Sequence, residues 1–428
     1  MERWTLKRRF FTSIALTLTL TIFSPLCMSA KAKTNEPNIL GKSALTMDLE
    51  TGEIIYSKDP DSKRYPASIS KLMTAILLAE NKQKTDVISY TEIAKKQPEY
   101  SFNLNIKPRS VGETMSATDS MKTLLLYSAN DEAYAIAENV GGSVEGFQKM
   151  MNDKAKELGM SNSHFVTPNG LHDADHYTTA YDLAILAKAA YSTPWVKETM
   201  AMKKETVKTS AGTIAIIENR NKNLGVDGCI GGKTGYTEAS GRSLVALYER
   251  DGKKIVGVVL KSVYDSKDSQ VFNDMKSLID WSYAAERTTF YKSGETLKTV
   301  SVPYKAFKFF GKEKTIEVPL TIKEDVAYYD NGLNEAESKL DFKVEDINPW
   351  KLDGTKKVAE ATLSQRSYEK TYDLYTTVKS SDLVKANMGS YIMLVLGIIV
   401  VLALIIIITS KIKNSSRKKH RSRYRRQR

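Results

Sequence analysis

The chain contains 428 residues, of which 42% are hydrophobic and 26% are charged, as in an ordinary globular protein. Its length exceeds what one compact core usually absorbs, so we expect two domains with attached segments. The net charge of +13 lies at the two ends: residues 411–428 hold ten Lys or Arg and no acid, residues 1–32 carry a net +4, and residues 33–410 carry −1. A nearly neutral body argues against a nucleic-acid partner.

The first 32 residues have the pattern of a secretory signal peptide. A charged stretch from Arg3 to Arg9 precedes the apolar and threonine-rich run Phe10–Leu26. The small residues Ala30 and Ala32 stand at the two positions that a signal peptidase reads. An uncleaved N-terminal anchor is the alternative. Residues 1–32 are therefore predicted to direct the chain out of the cytoplasm.

The exported part begins with the patterns of a hairpin and of several helices. Two apolar runs flank Glu50-Thr51-Gly52 within residues 43–57, which is typical of a β-hairpin. Apolar residues recur at helical spacing in several later segments, namely from Ser68 onward, 116–140 with a break near 128–130, 143–158, 179–191 and about 269–285. Apolar runs at 243–248 and 254–260 indicate strands. Residues 33–286 are therefore predicted to form one domain of helices and strands.

After about residue 286 the pattern changes to an alternation of apolar and polar residues. Ile316, Val318 and Leu320 follow this period of two, which indicates β-structure. Pro319 cannot donate a ladder hydrogen bond, so we expect an edge strand there. We predict a small all-β domain at 287–378 and a polar linker at 379–390.

The C-terminal part has the pattern of a membrane anchor. Residues 391–410 contain no charge, and 20 residues at a rise of about 1.5 Å each cover the ~30 Å hydrocarbon core. The basic tail 411–428 follows at once, so the positive-inside rule places it in the cytoplasm and residues 33–388 outside. A nucleic-acid-binding arm is the alternative interpretation of the tail. We predict a single-pass protein of the cell membrane that contacts lipid through this helix.

Three short motifs occur in order within the first domain: Ser68-Ile69-Ser70-Lys71, Ser128-Ala129-Asn130 and Lys233-Thr234-Gly235. Each motif is weak alone, and Ser-x-x-Lys also occurs in the basic tail. Each also has a structural interpretation, as a helix N-cap, as a break between helices, or as a glycine turn before a strand. Only their combination and order indicate chemistry.

The first motif has the spacing of a nucleophile and its base. On a helix, Ser68 and Lys71 lie three residues apart and therefore share one face. A serine hydroxyl is a poor nucleophile until a base takes its proton. Lysine is such a base only when desolvation or a neighbouring cation lowers its pKa, and Lys233 would be that cation.

The other two motifs supply groups that suit a peptide substrate. Ser128 can relay a proton, and the amide of Asn130 can hold a substrate carbonyl. Lys233 and the hydroxyl of Thr234 suit an anionic group such as a free carboxylate. Gly235 permits a close approach of substrate to the backbone.

These motifs resemble those of the penicillin-binding and serine β-lactamase superfamily. Their surroundings are similar to the D-Ala-D-Ala carboxypeptidases, which are the low-molecular-weight penicillin-binding proteins. Four segments carry the similarity: 65–74 (YPASISKLMT), 128–133 (SANDEA), 165–171 (FVTPNGL) and 233–237 (KTGYT). The resemblance runs from about residue 43 to 281 and continues more weakly into the β-rich region.

The resemblance implies an α+β fold of the β-lactamase/transpeptidase type. Its antiparallel sheet would combine the N-terminal hairpin with the strands after Lys233, and a helical lobe would cover this sheet. The roles that it implies are Ser68 as the acylated nucleophile, Lys71 as its base, Ser128 and Asn130 as the second motif, Lys233, Thr234 and Gly235 as the third, the backbone N–H groups of Ser68 and Tyr236 as the oxyanion hole, and Arg220 as a further substrate-binding residue.

The implied reaction is removal of the terminal D-alanine from peptidoglycan stem peptides, with β-lactam antibiotics as covalent inhibitors and without a metal or organic cofactor. A β-lactamase is one alternative, but the Glu-x-x-x-Asn of its class A form is missing between Asn130 and Lys233. An inactive homologue that binds wall peptide is another, and the intact motifs argue against it. The segment 226–232 is about two residues longer than the family pattern, which leaves the approach to Lys233 open.

Overall fold

The computed structural model describes residues 36–424, with side chains described through residue 418. The predicted signal peptide, 1–32, and the last residues of the basic tail, 425–428, lie outside the described residues.

The first part of the described chain alternates strands with helices, and it confirms the predicted hairpin and helices to within a few residues. The strands are β1 (Ser43–Asp48), β2 (Ile54–Lys58), β3 (Val87–Ser89), β4 (Thr114–Ser116), β5 (Lys204–Lys208), β6 (Ile214–Glu218), β7 (Cys229–Thr237), β8 (Gly241–Arg250) and β9 (Lys253–Ser262). The helices are α1 (Lys71–Asn81), α2 (Glu92–Lys95), α3 (Phe102–Asn105), α4 (Ala117–Lys122), α5 (Asn130–Gly141), α6 (Val144–Glu157), α7 (Ala180–Ser192), α8 (Pro194–Met200) and α9 (Gln270–Ala284).

The main sheet of this part is antiparallel and has the strand order β2-β1-β9-β8-β7. Successive residues of a strand face opposite sides of a sheet. In β8, Val245 and Leu247 therefore join the core of the helical lobe, whereas Leu244 and Ala246 pack in the core that includes α9. Because both faces of the sheet are covered, its central strands are apolar throughout and do not alternate with polar residues.

The Lys233-Thr234-Gly235 motif lies inside β7, the edge strand of this sheet, and not before a strand as the sequence indicated. Three glycines within β7 weaken its sequence signal, since glycine has a low β-propensity. Gly235 has a structural reason: a Cβ at this position would lie 2.9 Å from the carbonyl oxygen of Pro66. The absence of a side chain thus lets β7 pass directly beside the turn that carries Ser68.

The second part of the described chain is mainly β, as predicted. Its strands are β10 (Thr288–Tyr291), β11 (Thr296–Lys305), β12 (Glu313–Ile322), β13 (Val326–Tyr328), β14 (Lys339–Val344), β15 (Ala359–Ser364) and β16 (Glu369–Tyr375), and a short helix, α10 (Gly332–Glu337), interrupts them. The larger sheet has the order β11-β12-β16-β15-β14.

Pro319 lies in β12, which is not the edge strand of this sheet. However, β12 pairs with β16 at Thr321 and Ile322, so among the described strands β11 alone pairs with β12 at Pro319. The prediction of an edge strand is therefore wrong for β12 as a whole, and its physical basis holds locally: the proline occupies a stretch that is open on one side.

From Ser380 to Tyr424 the chain is helical, apart from a turn at Asn387. The predicted linker, 379–390, contains α11 (Ser380–Ala386) and the start of α12 (Met388–Tyr424). Leu383 is fully buried, so α11 packs against the β-rich region and is not an extended linker. Within α12, residues Met388–Lys418 form a 31-residue segment that is long and apolar enough to cross a membrane. Residues 411–424 of the basic tail continue the same helix, which makes it longer than the predicted span.

Candidate active site

Ser68 lies on a tight turn at the N-terminus of α1. Residues Ala67–Ser70 form a 3-10 turn, and the α-helix itself begins at Lys71 and not at Ser68. Ala67 has a φ of +48°, which costs a non-glycine residue about 1–2 kcal/mol. This kink makes Ser68 partly accessible, whereas its neighbours Ile69 and Ser70 are buried.

The amine of Lys71 is buried and contacts three polar groups. Its Nζ lies 2.9 Å from Ser68 Oγ, 2.9 Å from Asn130 Oδ1 and 2.9 Å from the carbonyl oxygen of Asn169. Burial lowers the pKa of Lys71 well below its ordinary value, the charge of Arg220 lowers it further, and Asp131 partly opposes both. The first motif thus contains an amine that favours the neutral form, within hydrogen-bonding distance of a serine hydroxyl.

The second motif lies where two helices meet at a left-handed residue. Ser128 has a φ of +71° and ends the π-helical turn Thr123–Tyr127, and Asn130 begins α5. The Asn130 side chain is oriented by donating from Nδ2 to the carbonyl oxygen of Glu99 at 2.8 Å. Its other end, Oδ1, is thereby directed at Lys71.

The third motif brings a second buried lysine to the same place. Lys233 Nζ donates to Ser128 Oγ at 2.9 Å and to the carbonyl oxygen of Thr234 at 3.1 Å. Burial lowers the pKa of Lys233 well below its ordinary value, and the charges of Lys71, Arg220 and Arg242 lower it further. Two lysines so close together disfavour simultaneous protonation.

The remaining predicted residues surround this group. The guanidinium of Arg220 lies 4.8 Å from the ring centroid of Tyr100 and 4.7 Å from that of Tyr127. Among the described residues, it has no carboxylate within ion-pair distance. Tyr236 continues β7 after Gly235, and its partly exposed ring stacks on that of Tyr264, with ring centroids 4.5 Å apart.

The segment 226–232 is longer than the family pattern, and the backbone accommodates its additional residues before Lys233. Asp227 and Gly228 both have positive φ, and the pairing of β7 with β8 shifts register between Cys229 and Gly231. A turn followed by a bulge takes up additional residues without moving the strand beyond it. Lys233 then pairs in regular register with Val245.

The sequence did not single out the loop that holds Lys71 from the other side. Asn169 contributes its backbone carbonyl, which no side-chain pattern reveals. Gly170 has a φ of +80°, and a Cβ there would lie 1.9 Å from the carbonyl oxygen of Ala67, so only glycine fits beside the Ser68 turn. The segment 165–171 carried part of the family resemblance, and that was the available signal.

His176 connects this loop to the turn that carries Ser68 through hydrogen bonds. The sequence did not single out this residue either. Its Nδ1 accepts hydrogen bonds from the backbone N–H groups of Val166 at 3.2 Å and Thr167 at 3.1 Å. The other nitrogen, Nε2, therefore carries the proton and donates to Ser70 Oγ at 2.8 Å. Burial lowers the pKa of His176 from 6.5 to about 4.

This lowered pKa predicts an acid-sensitive contribution to stability. The contribution is fully present above pH 6.5 and is lost as the pH falls toward 4, because the unfolded chain takes up the proton first. At 1.36 kcal/mol per unit, the loss amounts to about 3 kcal/mol. His176→Gln does not titrate, so its free energy of unfolding should fall less steeply over this interval. If the free energies of unfolding of the unchanged protein and of His176→Gln fall in parallel across this pH range, the prediction is wrong.

The fold and this arrangement together define a class of protein: a serine hydrolase built on the fold of the penicillin-binding enzymes. Residues 30–263 match the peptidase S11 family, D-alanyl-D-alanine carboxypeptidase. The chain belongs to this family, which confirms the predicted family and fold class.

Individual relatives agree with this assignment. The chain is 28% identical to the D-alanyl-D-alanine carboxypeptidase DacF of Bacillus subtilis over 79% of this chain and 86% of DacF. A solved D-alanyl-D-alanine carboxypeptidase from Mycobacterium tuberculosis H37Rv is similar, with a TM-score of 0.54, 25% identity and coverage of 58% of this chain and 93% of that one. The solved DacD of Francisella tularensis shares the fold over 79% of this chain and 93% of its own, with a TM-score of 0.57 and 21% identity.

Proposed function

We propose that this chain is a membrane-anchored serine D-Ala-D-Ala carboxypeptidase that removes the terminal D-alanine from peptidoglycan stem peptides. The observation that carries this proposal is the contact of 2.9 Å between Lys71 Nζ, a fully buried amine, and Ser68 Oγ. Membership of the S11 family supports the same chemistry.

The acylation step uses Lys71 as the general base. Neutral Lys71 takes the proton of Ser68, and Oγ forms a bond to the carbonyl carbon of the penultimate D-alanine. The backbone N–H groups of Ser68 and Tyr236 stabilise the negative charge that develops on the carbonyl oxygen. The C–N bond then breaks, and the amine of D-alanine leaves with the proton that Lys71 took, which Ser128 relays.

The substrate is held by groups that surround Ser68. Lys233 and the hydroxyl of Thr234 bind the terminal carboxylate, since both lie on the edge strand beside the nucleophile turn. Arg220 adds positive charge near Lys233. No described carboxylate lies within ion-pair distance of Arg220, which leaves that charge for the substrate. Water then hydrolyses the ester on Ser68. β-Lactams acylate the same residue, because their strained amide occupies the place of the scissile bond.

An assay on the purified full chain separates this proposal from its alternatives. A diacyl-lysyl-D-Ala-D-Ala peptide should release free D-alanine, and penicillin should leave an ester that hydrolyses slowly. Rapid turnover of penicillin would indicate a β-lactamase, and absence of both D-alanine release and labelling would indicate an inactive binding protein.

The same proposal includes a single-pass topology. The uncharged span and the basic residues that follow it favour an external catalytic domain and a cytoplasmic tail. External protease on intact cells should therefore digest residues 33–388 and spare an epitope tag placed after Arg428. A tag removed from outside would contradict this topology.

A further inference from the structure

A loop of the β-rich region presents aromatic side chains at its surface. The hairpin of β11 and β12 closes through residues 306–312, with the sequence AFKFFGK. The side chain of Phe309 is 77% exposed and that of Phe310 is 56% exposed. Single exposed apolar residues are ordinary, but two adjacent phenylalanines at the tip of a hairpin form a local apolar surface. We call residues 306–312 the aromatic loop.

The aromatic loop has a defined conformation. The N–H of Phe307 donates to the carbonyl oxygen of Phe310 at 3.1 Å, and the N–H of Ala306 donates to that of Lys312 at 3.2 Å. The rings of Phe307 and Phe310 stack with centroids 5.0 Å apart. The backbone and one ring pair therefore hold the exposed rings in place.

This loop lies against the first turn of the proposed membrane span. The ring of Phe307 contacts that of Tyr391 edge-on, with centroids 5.1 Å apart. Tyr391 follows the small residues Gly389 and Ser390 and begins the mainly apolar run that continues to Ile408. The loop is thus at the level where α12 enters the hydrocarbon region, whatever the tilt of the helix beyond it.

A second set of contacts fixes this junction. The side chain of Asn387 is buried just before α12, where its Nδ2 donates to Tyr304 Oη at 3.1 Å and its Oδ1 accepts from Lys314 Nζ at 2.7 Å. Both partners belong to the hairpin, one on each strand. The start of the span and the aromatic loop therefore move as one unit.

The charges around the loop match a lipid headgroup layer. Four lysines, Lys305, Lys308, Lys312 and Lys314, lie within ten positions that contain a single acid, Glu313. Lys314 donates to Asn387, and the other three are exposed. Among the described residues, none of these lysines has an ion-pair partner. Lysines beside exposed aromatic rings favour the membrane interface, where the ammonium groups reach phosphates and the rings enter the acyl boundary.

We propose that the aromatic loop inserts into the interface of the outer leaflet and provides a second membrane contact beside α12. The proposal rests on the single-pass topology proposed above. It concerns a lipid surface and not a protein partner, because the loop adjoins the span and combines exposed phenylalanine rings with exposed lysines. The β-rich region also contacts the catalytic domain, for example through the Nδ2 of Asn334, which donates to the carbonyl oxygen of Ile54 at 2.7 Å. A second contact therefore limits how far the catalytic domain tilts on the membrane.

Site-specific labelling of the full chain in vesicles tests this proposal. A polarity-sensitive NBD label is attached at Phe309→Cys, at Ile214→Cys or at Ile399→Cys, in a chain whose Cys27 and Cys229 are replaced by Ser and which still binds penicillin. Ile214 is the matched control, since it is 65% exposed on β6 of the catalytic domain. The vesicles contain phosphatidylcholine and phosphatidylglycerol, with a nitroxide quencher on the lipid or iodide in the water.

The expected result separates the three positions. The label at 399 is quenched by acyl-chain nitroxide, and the label at 214 is quenched by iodide alone. The label at 309 is quenched by nitroxide near the headgroup and is several-fold less accessible to iodide than that at 214. If 399 is lipid-quenched and 309 behaves like 214, the loop proposal is overturned while the span stands. Protection at 309 without lipid quenching indicates a protein contact and also overturns it. Absence of lipid quenching at 399 overturns the topology, and the loop proposal with it.

The lysines have their own test. Replacing both Lys308 and Lys312 by Glu should reduce headgroup-nitroxide quenching at position 309 in the anionic vesicles, and much less in vesicles of phosphatidylcholine alone. Unchanged quenching in anionic vesicles would contradict the headgroup part of the proposal.

Discussion

Ser68→Ala is expected to abolish both the penicillin ester and the release of D-alanine. Loss of a nucleophilic serine in a comparable hydrolase lowers kcat by roughly 10⁶-fold, because no other group can form the covalent intermediate. The fold should be retained, since Ser68 is partly exposed and Lys71 is the only described side chain to which its hydroxyl is hydrogen-bonded.

Ser70→Ala is the matched control. Ser70 is two positions from Ser68 and is fully buried, but its hydroxyl bonds to His176 and not to Lys71. This variant should keep the penicillin label, although its free energy of unfolding should fall through the lost hydrogen bond. Ser68 and Ser70 share one tryptic peptide between Arg64 and Lys71, so fragment ions must assign the adduct. An adduct on Ser70 or Ser128, or full labelling of Ser68→Ala, would refute the assignment.

Lys71→Ala is expected to slow acylation by at least ~100-fold, the lower scale for removal of a general base. Lys71→Arg should not restore the rate, because a guanidinium stays protonated in proteins and cannot accept the serine proton. Both variants leave Ser68 in place, so residual labelling at long times reports the uncatalysed attack. The rate of penicillin labelling, measured by stopped-flow or gel, checks this prediction.

Loss of structure must be separated from loss of the base. Lys71 is fully buried and donates to Asn130 and to the carbonyl of Asn169, so its removal also leaves two acceptors without a donor. Thermal unfolding of each variant should therefore accompany the kinetics, with Lys149→Ala, which removes an exposed lysine on α6, as the control for a change of charge. Near-normal acylation in folded Lys71→Ala or Lys71→Arg would exclude Lys71 as the base.

The sequence by itself determined the local elements and the kind of chemistry. Helical spacing and hairpin signals predicted α7, α9 and the pair β1 and β2, because these depend on residues close in sequence. The spacing of Ser68 and Lys71 is also local, since three positions on a tight turn place both side chains together whatever surrounds them. The three motifs in their order, together with the segments around them, predicted the family that the S11 match confirms.

The tertiary structure alone decided how the motifs meet. Lys71 reaches Asn130 across 59 positions, and Lys233 reaches Ser128 across 105, so neither contact has a signature in a short window. The carbonyl of Asn169 belongs to the backbone, and backbone atoms are the same in every residue. The sequence also did not reveal that Lys233 lies on an edge strand. The glycines that allow β7 to pack closely are equally typical of a turn. No sequence pattern singled out the aromatic loop, because which loop lies next to a helix depends on how distant segments pack. Its contact with Tyr391 places it beside α12.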